Sequence, residues 1–396
     1  MNFRKILRKY SKLQKRKLLS IFIILAIFIS SFSVIYTFDN STPQKGKATF
    51  QLSYRFYLRN EGPLNLSSLN VRLALLKDWT PVQNVSKIEI ETIPDEIVTD
   101  EYNNEFAWYR YNNFNVGNFI DLKFHANLSI NLLDYTSSKI HVFPYDRYST
   151  FYQFYTKYHP LTDTTDPVIQ RVAQNLVTSN NLIENLFSFY NFTSLYLTYK
   201  LLGTPKGASY AIRNGFGDCD EYSSLFIALA RSYGVPSIEY SAWLGDFYSG
   251  YSSTDDGAVA HAYPMFYIEG TGWIPVDPTR GNKKLFDNWM KSDYKRITLT
   301  RGPDHPYRYI SYKWIPIEGY SDPLIVSNYT IAIQKMTIQY YSVLRLMILI
   351  SVPGIPITFL VYTIIKGIKL KKERKRKLET LLSPIKEDND YKKFNN

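Results

Sequence analysis

Two long stretches without a charge, each backed by a block of lysine and arginine, bracket this chain. Residues 18–38, LLSIFIILAIFISSFSVIYTF, carry no charged group in 21 positions, and residues 346–365, LMILISVPGIPITFLVYTII, repeat the pattern near the other end. A helix rises ~1.5 Å per residue, so either run can cross a hydrocarbon layer of about 30 Å. A cleaved signal peptide is the other reading of the first run, but its apolar part exceeds the usual ~7–15 residues and no small-residue cleavage site follows. In the second run Pro353, Gly354 and Pro356 suit a lipid span better than a water-soluble helix. We therefore expect transmembrane helices at 18–38 and 343–365, with Arg345 snorkelling to the outer interface.

The formal charge of +12 sits at the ends. Residues 1–17 contribute +8 and residues 366–396 contribute +6, which leaves −2 for everything between. A nucleic-acid protein keeps its positive charge on the folded part, so no nucleic-acid partner is expected. Lys- and Arg-rich loops stay in the cytoplasm, which makes 1–17 and 366–396 basic cytoplasmic ends and puts residues ~39–345 outside the cell membrane. The basic ends hold this orientation and touch anionic lipid. Sequons at Asn40, Asn65, Asn84, Asn127, Asn191 and Asn328 all fall in the outer part, as a glycoprotein would have them. The single cysteine allows no internal disulfide, so packing must hold the ectodomain together.

The outer part changes period once. From Ala48 the apolar residues alternate through Phe50, Leu52, Tyr54, Phe56 and Leu58, and again from Ile120 to Ile130. With shorter alternations at Val71/Leu73/Leu75, Ile88/Ile90 and Phe106/Trp108, these are half-buried strands of a β-sandwich domain over 45–150. His125 lies on its polar face and is expected to be solvated. KYHPLTDTTDP, residues 157–167, reads as a linker, after which the spacing becomes helical, with Asp166 as N-cap and Pro167 in the first turn. A second helical segment runs from Asn181 to about Leu202. Strands return at 237–245, 258–270 and 272–278, which makes 165–310 an α+β domain. Residues 311–342 form a short strand-rich return segment before the second span.

The lone cysteine lies in RNGFGDCDEYSSLFIALARSYGVPS. Gly215 and Gly217 loosen the chain ahead of Asp218, and Asp218 with Glu221 has the spacing of a capping box, which places Cys219 at the first helical position. Tyr222, Leu225, Phe226, Leu229 and Tyr233 mark the buried face, and Gly234 and Pro236 end the helix. The helix end favours a thiolate by ~0.3–1 kcal/mol, less than one pKa unit, and Asp218, Asp220 and Glu221 act against it. Cys219 therefore needs a base within hydrogen-bond reach if it is a nucleophile, and is otherwise a small buried hydrophobe. Of five histidines, only His261 lies on a strand followed by a tight turn and a returning acid: in AHAYPMFYIEGTGWIPVDPT, Gly270-Thr271-Gly272 reverses the chain and brings back Asp277. Thiol, imidazole and orienting carboxylate then form a nucleophile, base and orienter set.

These residues, GDCDEYSSLFIALARSYGVPS, then HAY, then GWIPVDPT, resemble the transglutaminase-like superfamily, papain-related thiol enzymes, over about residues 165–305. The resemblance implies a papain-like core with Cys219 as nucleophile, His261 as base and Asp277 as orienting acid, preceded here by the β-sandwich and flanked by two transmembrane helices. RGPDH, 301–305, is similar to the strand end that often follows such cores. Tyr263 stands where the family usually has Trp, Pro264-Met265 replaces an aliphatic-acid pair, and Asp220 stands where animal members have Trp. The family holds cross-linking acyltransferases, amide hydrolases and proteases on one scaffold, so the acyl acceptor stays open.

HExxH, CxxC, G-x-S-x-G and P-loop patterns are absent from the sequence, and no cofactor or metal is expected. Asp255 and Asp256 with Asp218 and Asp220 match no calcium-loop spacing and read as a solvated acidic patch. The expectation is a membrane-anchored, extracytoplasmic thiol enzyme acting on protein or peptide amide bonds through a thioester, with hydrolysis slightly favoured over cross-linking. The rival is a non-catalytic surface interaction or adhesion module that keeps the fold for packing. Oligomeric state is not legible.

Overall fold

Alternation from Ala48 onward becomes a 17-residue strand, β1 (Gln44–Asn60), that buries Ala48, Phe50, Leu52, Tyr54, Phe56 and Leu58 and turns the residues between them outward. The computed structural model describes residues 43–136, 138–254, 259–280, 288–303, 310–316, 325–341, 362–373 and 376. Two units are distinguished, residues 40–340 and a second made of 1–39 with 341–396. In the second, residues 362–373 are helical. The apolar runs at 18–38 and 346–365 lie outside the described residues except for 362–365, and among the described residues no helix is long and apolar enough to cross a membrane.

In the larger unit the first half supplies β1, β2 (Leu66–Ala74), β3 (Gln83–Ile90), β4 (Glu96–Thr99), β5 (Glu105–Phe114) and β6 (Phe119–Leu133). Among the described residues the second half adds five α-helices, α1 (Thr150–Thr156), α2 (Pro167–Leu176), α3 (Leu182–Tyr196), α4 (Ala208–Asn214) and α5 (Cys219–Ser232). Its strands are the short β7 (Thr198–Tyr199) and β8 (Phe216–Gly217), then β9 (Ser237–Leu244), β10 (Ser252–Thr254), β11 (Val259–Ile268), β12 (Gly272–Pro275), β13 (Arg296–Arg301), β14 (Ile310–Pro316) and β15 (Ile325–Tyr340).

Strands from both halves build the first two sheets, in the orders β10-β15-β1-β6-β3 and β14-β2-β5-β4, with antiparallel pairing. Phe50, Phe56, Leu122 and Phe124 of one sheet and Leu69, Val71 and Tyr109 of the other share one apolar core. Within it the rings of Tyr54 and Phe124 stack 4.6 Å apart. β15 runs beside β1 from Gly46 opposite Tyr340 to Asn60 opposite Ile325, so the chain enters and leaves this unit at one end of one sheet.

The third sheet, β12-β11-β9-β13, carries α5 on it and is stitched to the first two. Trp243, Ile297 and Leu299 of its strands belong to the same apolar core as β1. The loop after β9 sends Phe247 into that core, edge-on to Phe50, and Gly250 and Tyr251 exchange backbone hydrogen bonds with Ile333 of β15. Along the outer edge of β13 two buried amide side chains stand where a neighbouring strand would be: Gln83 bonds both the N–H and C=O of Thr298, and Asn104 does the same for Arg301.

α5 is buried all round from Glu221 to Arg231, where the sequence pattern points to a single buried face. Its intervening residues Ser223, Ser224, Ala228 and Ala230 are small enough for α2, α3, α4, β9 and β11 to enclose it. α3 stops at Tyr196 rather than near Leu202, because Thr198 and Tyr199 pair in parallel with Phe216 and Gly217. The 157–167 segment, read as a linker, is packed: buried Arg231 takes the Lys157 carbonyl and the Thr162 hydroxyl, and Asp166 caps α2 while accepting from Ser209.

The start of α5 is held by two buried carboxylates. Asp218 accepts from the N–H of Asp220 at 3.1 Å and of Leu202 at 2.9 Å, and with Glu221 completes the capping box. Glu221, with no exposure, accepts from the N–H groups of Asp218, Lys206 and Gly207. Burial pushes its carboxyl above the ordinary value, against the pull of these donors. The glycines before Asp218 do not loosen the chain. Gly215 adopts φ 71° as the left-handed cap of α4. A Cβ on Gly217 would lie 2.2 Å from that of Glu221, so only glycine lets this carboxylate close over the turn.

Replacing Glu221 with Ala leaves three backbone donors without their acceptor and is expected to cost about 3 kcal/mol or more, read from chemical denaturation of the protein. Phe247→Ala opens a cavity between the sandwich and the third sheet and is expected to cost about 3–5 kcal/mol, with proteolysis appearing first in the loop between β9 and β10.

Candidate active site

Cys219 occupies the first turn of α5, half-buried. Its sulfur and one oxygen each from Asp218 and Asp220 lie within 4.8 Å of one another. Two carboxylates so close make a thiolate harder to form, as the sequence argument anticipates, so the thiol depends on a base supplied from elsewhere. The cap takes the N–H of Asp220, and the N–H of Tyr222 goes to the Asp218 carbonyl.

His261 lies on β11 opposite Ala242 of β9, and is 6 % exposed. β11 and β12 pair with Met265 opposite Pro275, and the Val276 N–H continues the ladder to the Pro264 carbonyl. One residue further, Asp277 comes level with Tyr263 and diagonal to His261, within side-chain reach. Its Oδ2 lies 2.9 Å from His261 Nε2, with the carboxylate wholly buried. The contact therefore arises from a short hairpin, whose turn places Gly270 and Gly272 at positive φ.

The other described histidines have different tasks. His125 meets Glu91 at 2.8 Å on the solvent face of the sandwich, as its position on the polar side of the strand implies. His159 Nδ1 accepts from the Leu161 N–H, and His141 joins the Thr271 hydroxyl through its backbone. His305, Asp255 and Asp256 lie outside the described residues.

Two further side chains reach this region, and no sequence pattern marked them. Arg296, the first residue of β13, places Nη1 3.1 Å from the same Asp277 Oδ2 that faces His261. The other edge of its guanidinium meets Asp293, at 3.4 Å from Nε and 3.2 Å from Nη2, and the group lies 5.3 Å over the Tyr263 ring. Burial draws the Arg296 pKa down, while Asp293 and Asp277 together outweigh burial and hold it above the ordinary value. Tyr199, on β7, is the second. Burial pushes its phenol up, and negative charge at Cys219, Asp218 and Asp220 adds to the push. A pattern search centred on a cysteine, a histidine and an acid cannot find either residue, because each comes from a strand whose register only the folded sheet defines.

Residues 170–278 match the model of the transglutaminase-like superfamily, a segment that contains Cys219, His261 and Asp277 and ends before Asp293 and Arg296. No curated protein matches the chain. Among solved structures, a candidate cysteine protease from Cytophaga hutchinsonii is similar at 13 % identity and a TM-score of 0.50, over 74 % of this chain and 99 % of its own. The periplasmic domain of TgpA from Pseudomonas aeruginosa aligns at 11 % identity and a TM-score of 0.32, over 63 % of this chain and 93 % of its own. Red sea bream transglutaminase aligns at 11 % identity and a TM-score of 0.28, over 59 % and 48 %. At such identities the likeness is one of fold, and the first of these structures carries it. The chain is mixed α+β with substantial sheet, and its residues 170–278 are a transglutaminase-like core.

Proposed function

We propose that this chain is a membrane-anchored thiol enzyme that works outside the cytoplasm on amide bonds of proteins or peptides. The observation that carries the chemistry is the buried bond between His261 Nε2 and Asp277 Oδ2 on the sheet against which the Cys219 helix packs. With Nε2 committed to the carboxylate, the imidazole holds its proton there and offers Nδ1 as the basic nitrogen.

In this reading His261 takes the Cys219 proton and the thiolate adds to the amide carbon. The oxyanion that forms is held by backbone N–H groups at the start of α5. The imidazolium gives its proton to the departing nitrogen, the C–N bond breaks, and ammonia or an amine leaves a thioester on Cys219. Water, deprotonated by the same imidazole, then adds to the thioester and releases the acid and the thiol. An amine in place of water would give a new amide. We favour hydrolysis, because nothing in the sequence marks an amine site.

The membrane assignment rests on the charge-free runs at 18–38 and 346–365 and on the basic blocks beside them. It is supported by the pairing of Gly46 with Tyr340, which brings the two ends of the outer unit to one edge region, as two adjacent anchors would need.

Because Cys219 is the only thiol, each claim has a direct readout. A peptide carrying a thiol-reactive amide analogue is expected to label the full-length protein, and Cys219→Ala to abolish the label. His261→Gln should slow labelling by ~10²–10⁴, the usual loss when a base is removed. Labelling of the wild type no faster than that of a free cysteine would leave the fold as a non-catalytic surface module. In intact cells a membrane-impermeant maleimide should reach Cys219, and protection until the membrane is permeabilised would reverse the assigned orientation. Incubation with cell-envelope proteins should release ammonia or shortened peptides; cross-linked products would instead identify an acyl transferase.

A further inference from the structure

Asp277 has no exposure, and an isolated carboxylate at such depth takes up a proton, after which it is a poor acceptor for an imidazole N–H. Arg296 is the positive charge that prevents this while His261 is neutral; without it, Asp277 keeps its charge only by holding His261 protonated. Its Nη1 and His261 Nε2 converge on one oxygen, Oδ2, at 3.1 and 2.9 Å, which fixes the rotation of the carboxylate as well as its charge. Its own rotamer is held by the Asp293 fork and by the Tyr263 ring, whose hydroxyl meets Thr298. An unbalanced guanidinium so close would also repel the imidazolium that a thiolate partner requires. Asp293, one-third exposed and bound to the far edge of the guanidinium, offsets that repulsion.

The sum of charges shows the result. With His261 neutral, Arg296, Asp277 and Asp293 together carry −1; with His261 protonated, the group is neutral. Two residues along the same strand, Tyr263 is a further ionisable side chain of this cluster, its ring under the Arg296 guanidinium.

We propose that Arg296 is a positioning residue, holding Asp277 ionised and aimed at His261, and that Arg296 and Asp293 act as opposed charges that set how tightly His261 holds its proton. This rests on the reading of His261 as the base. Both residues lie beyond the segment that matches the family model.

The test is the titration of His261 in the full-length protein in detergent micelles, with carbon-13-labelled histidine and the His261 signal assigned by its loss in His261→Gln. A unit charge about 6 Å away at an effective dielectric constant of about 20 shifts a proton affinity by roughly two pKa units. Arg296→Met is therefore expected to raise the His261 pKa by up to about two units. Asp293→Asn, which leaves the guanidinium unbalanced from a greater distance and a more solvated position, should lower it by about half to one unit. Arg296→Lys, with the charge but not the fork, should fall between wild type and Arg296→Met.

A His261 titration that is unmoved in these variants, or moves the same way in Arg296→Met and Asp293→Asn, overturns the inference. If Arg296→Met does not fold, Asp293→Asn and Arg296→Lys decide it by the same signs. Iodoacetamide alkylation of Cys219 in the same samples separates the two readings. Opposite shifts of His261 with an unreactive thiol would retain the charge pair and remove the enzyme; a reactive thiol with an unmoved His261 would do the reverse.

Discussion

A carboxylate sealed from water governs the architecture around the candidate site. Asp277 can keep its charge only if cations reach it, and those available come from β11 and from the start of β13, on either side of β9. The sheet order β12-β11-β9-β13 is therefore an electrostatic arrangement as well as a packing one. A strand slipped by one residue would turn His261 or Arg296 to the opposite face and leave a buried charge alone. The same demand explains why β12 is short and follows directly on a hairpin turn: Asp277 has to arrive beside His261 at a fixed height.

α5 answers a second requirement, the placing of a thiol at a helix start that is not free to fray. Asp218 and Glu221 bind backbone groups from the 200–207 stretch as well as from their own turn, so the helix end and the loop in front of it form one unit. Burial on every side of the helix then transmits this rigidity to the sheet. The third sheet is in turn held by the sandwich through Phe247, Trp243 and Ile297.

The parts of this arrangement legible in the sequence are those written in local spacing. The capping box at Asp218 and Glu221 is three residues long, and the return from His261 to Asp277 is a single hairpin, so both can be read from a short window. The alternation in β1 and β6 is equally plain. What could not be read depends on distant segments. β15 lies against β1 across nearly the whole sequence of the larger unit, and Arg296 reaches Asp277 only through a strand order that no periodicity encodes. Two local readings failed for a physical reason. Small serines and alanines disguised the all-round burial of α5, and the glycines before Asp218, taken for slack, serve instead a left-handed cap and a close approach. The charge-free runs were the plainest feature of all, and they lie almost wholly outside the described residues.

The amide side chains of Gln83 and Asn104 have an effect that reaches past the site. By satisfying the outward N–H and C=O groups of Thr298 and Arg301, they cap the border of the third sheet with groups that cannot propagate a ladder. Extended polypeptide drifting past that border finds no docking rail, and runaway self-association by strand addition is blocked there without a proline or a lysine in the strand.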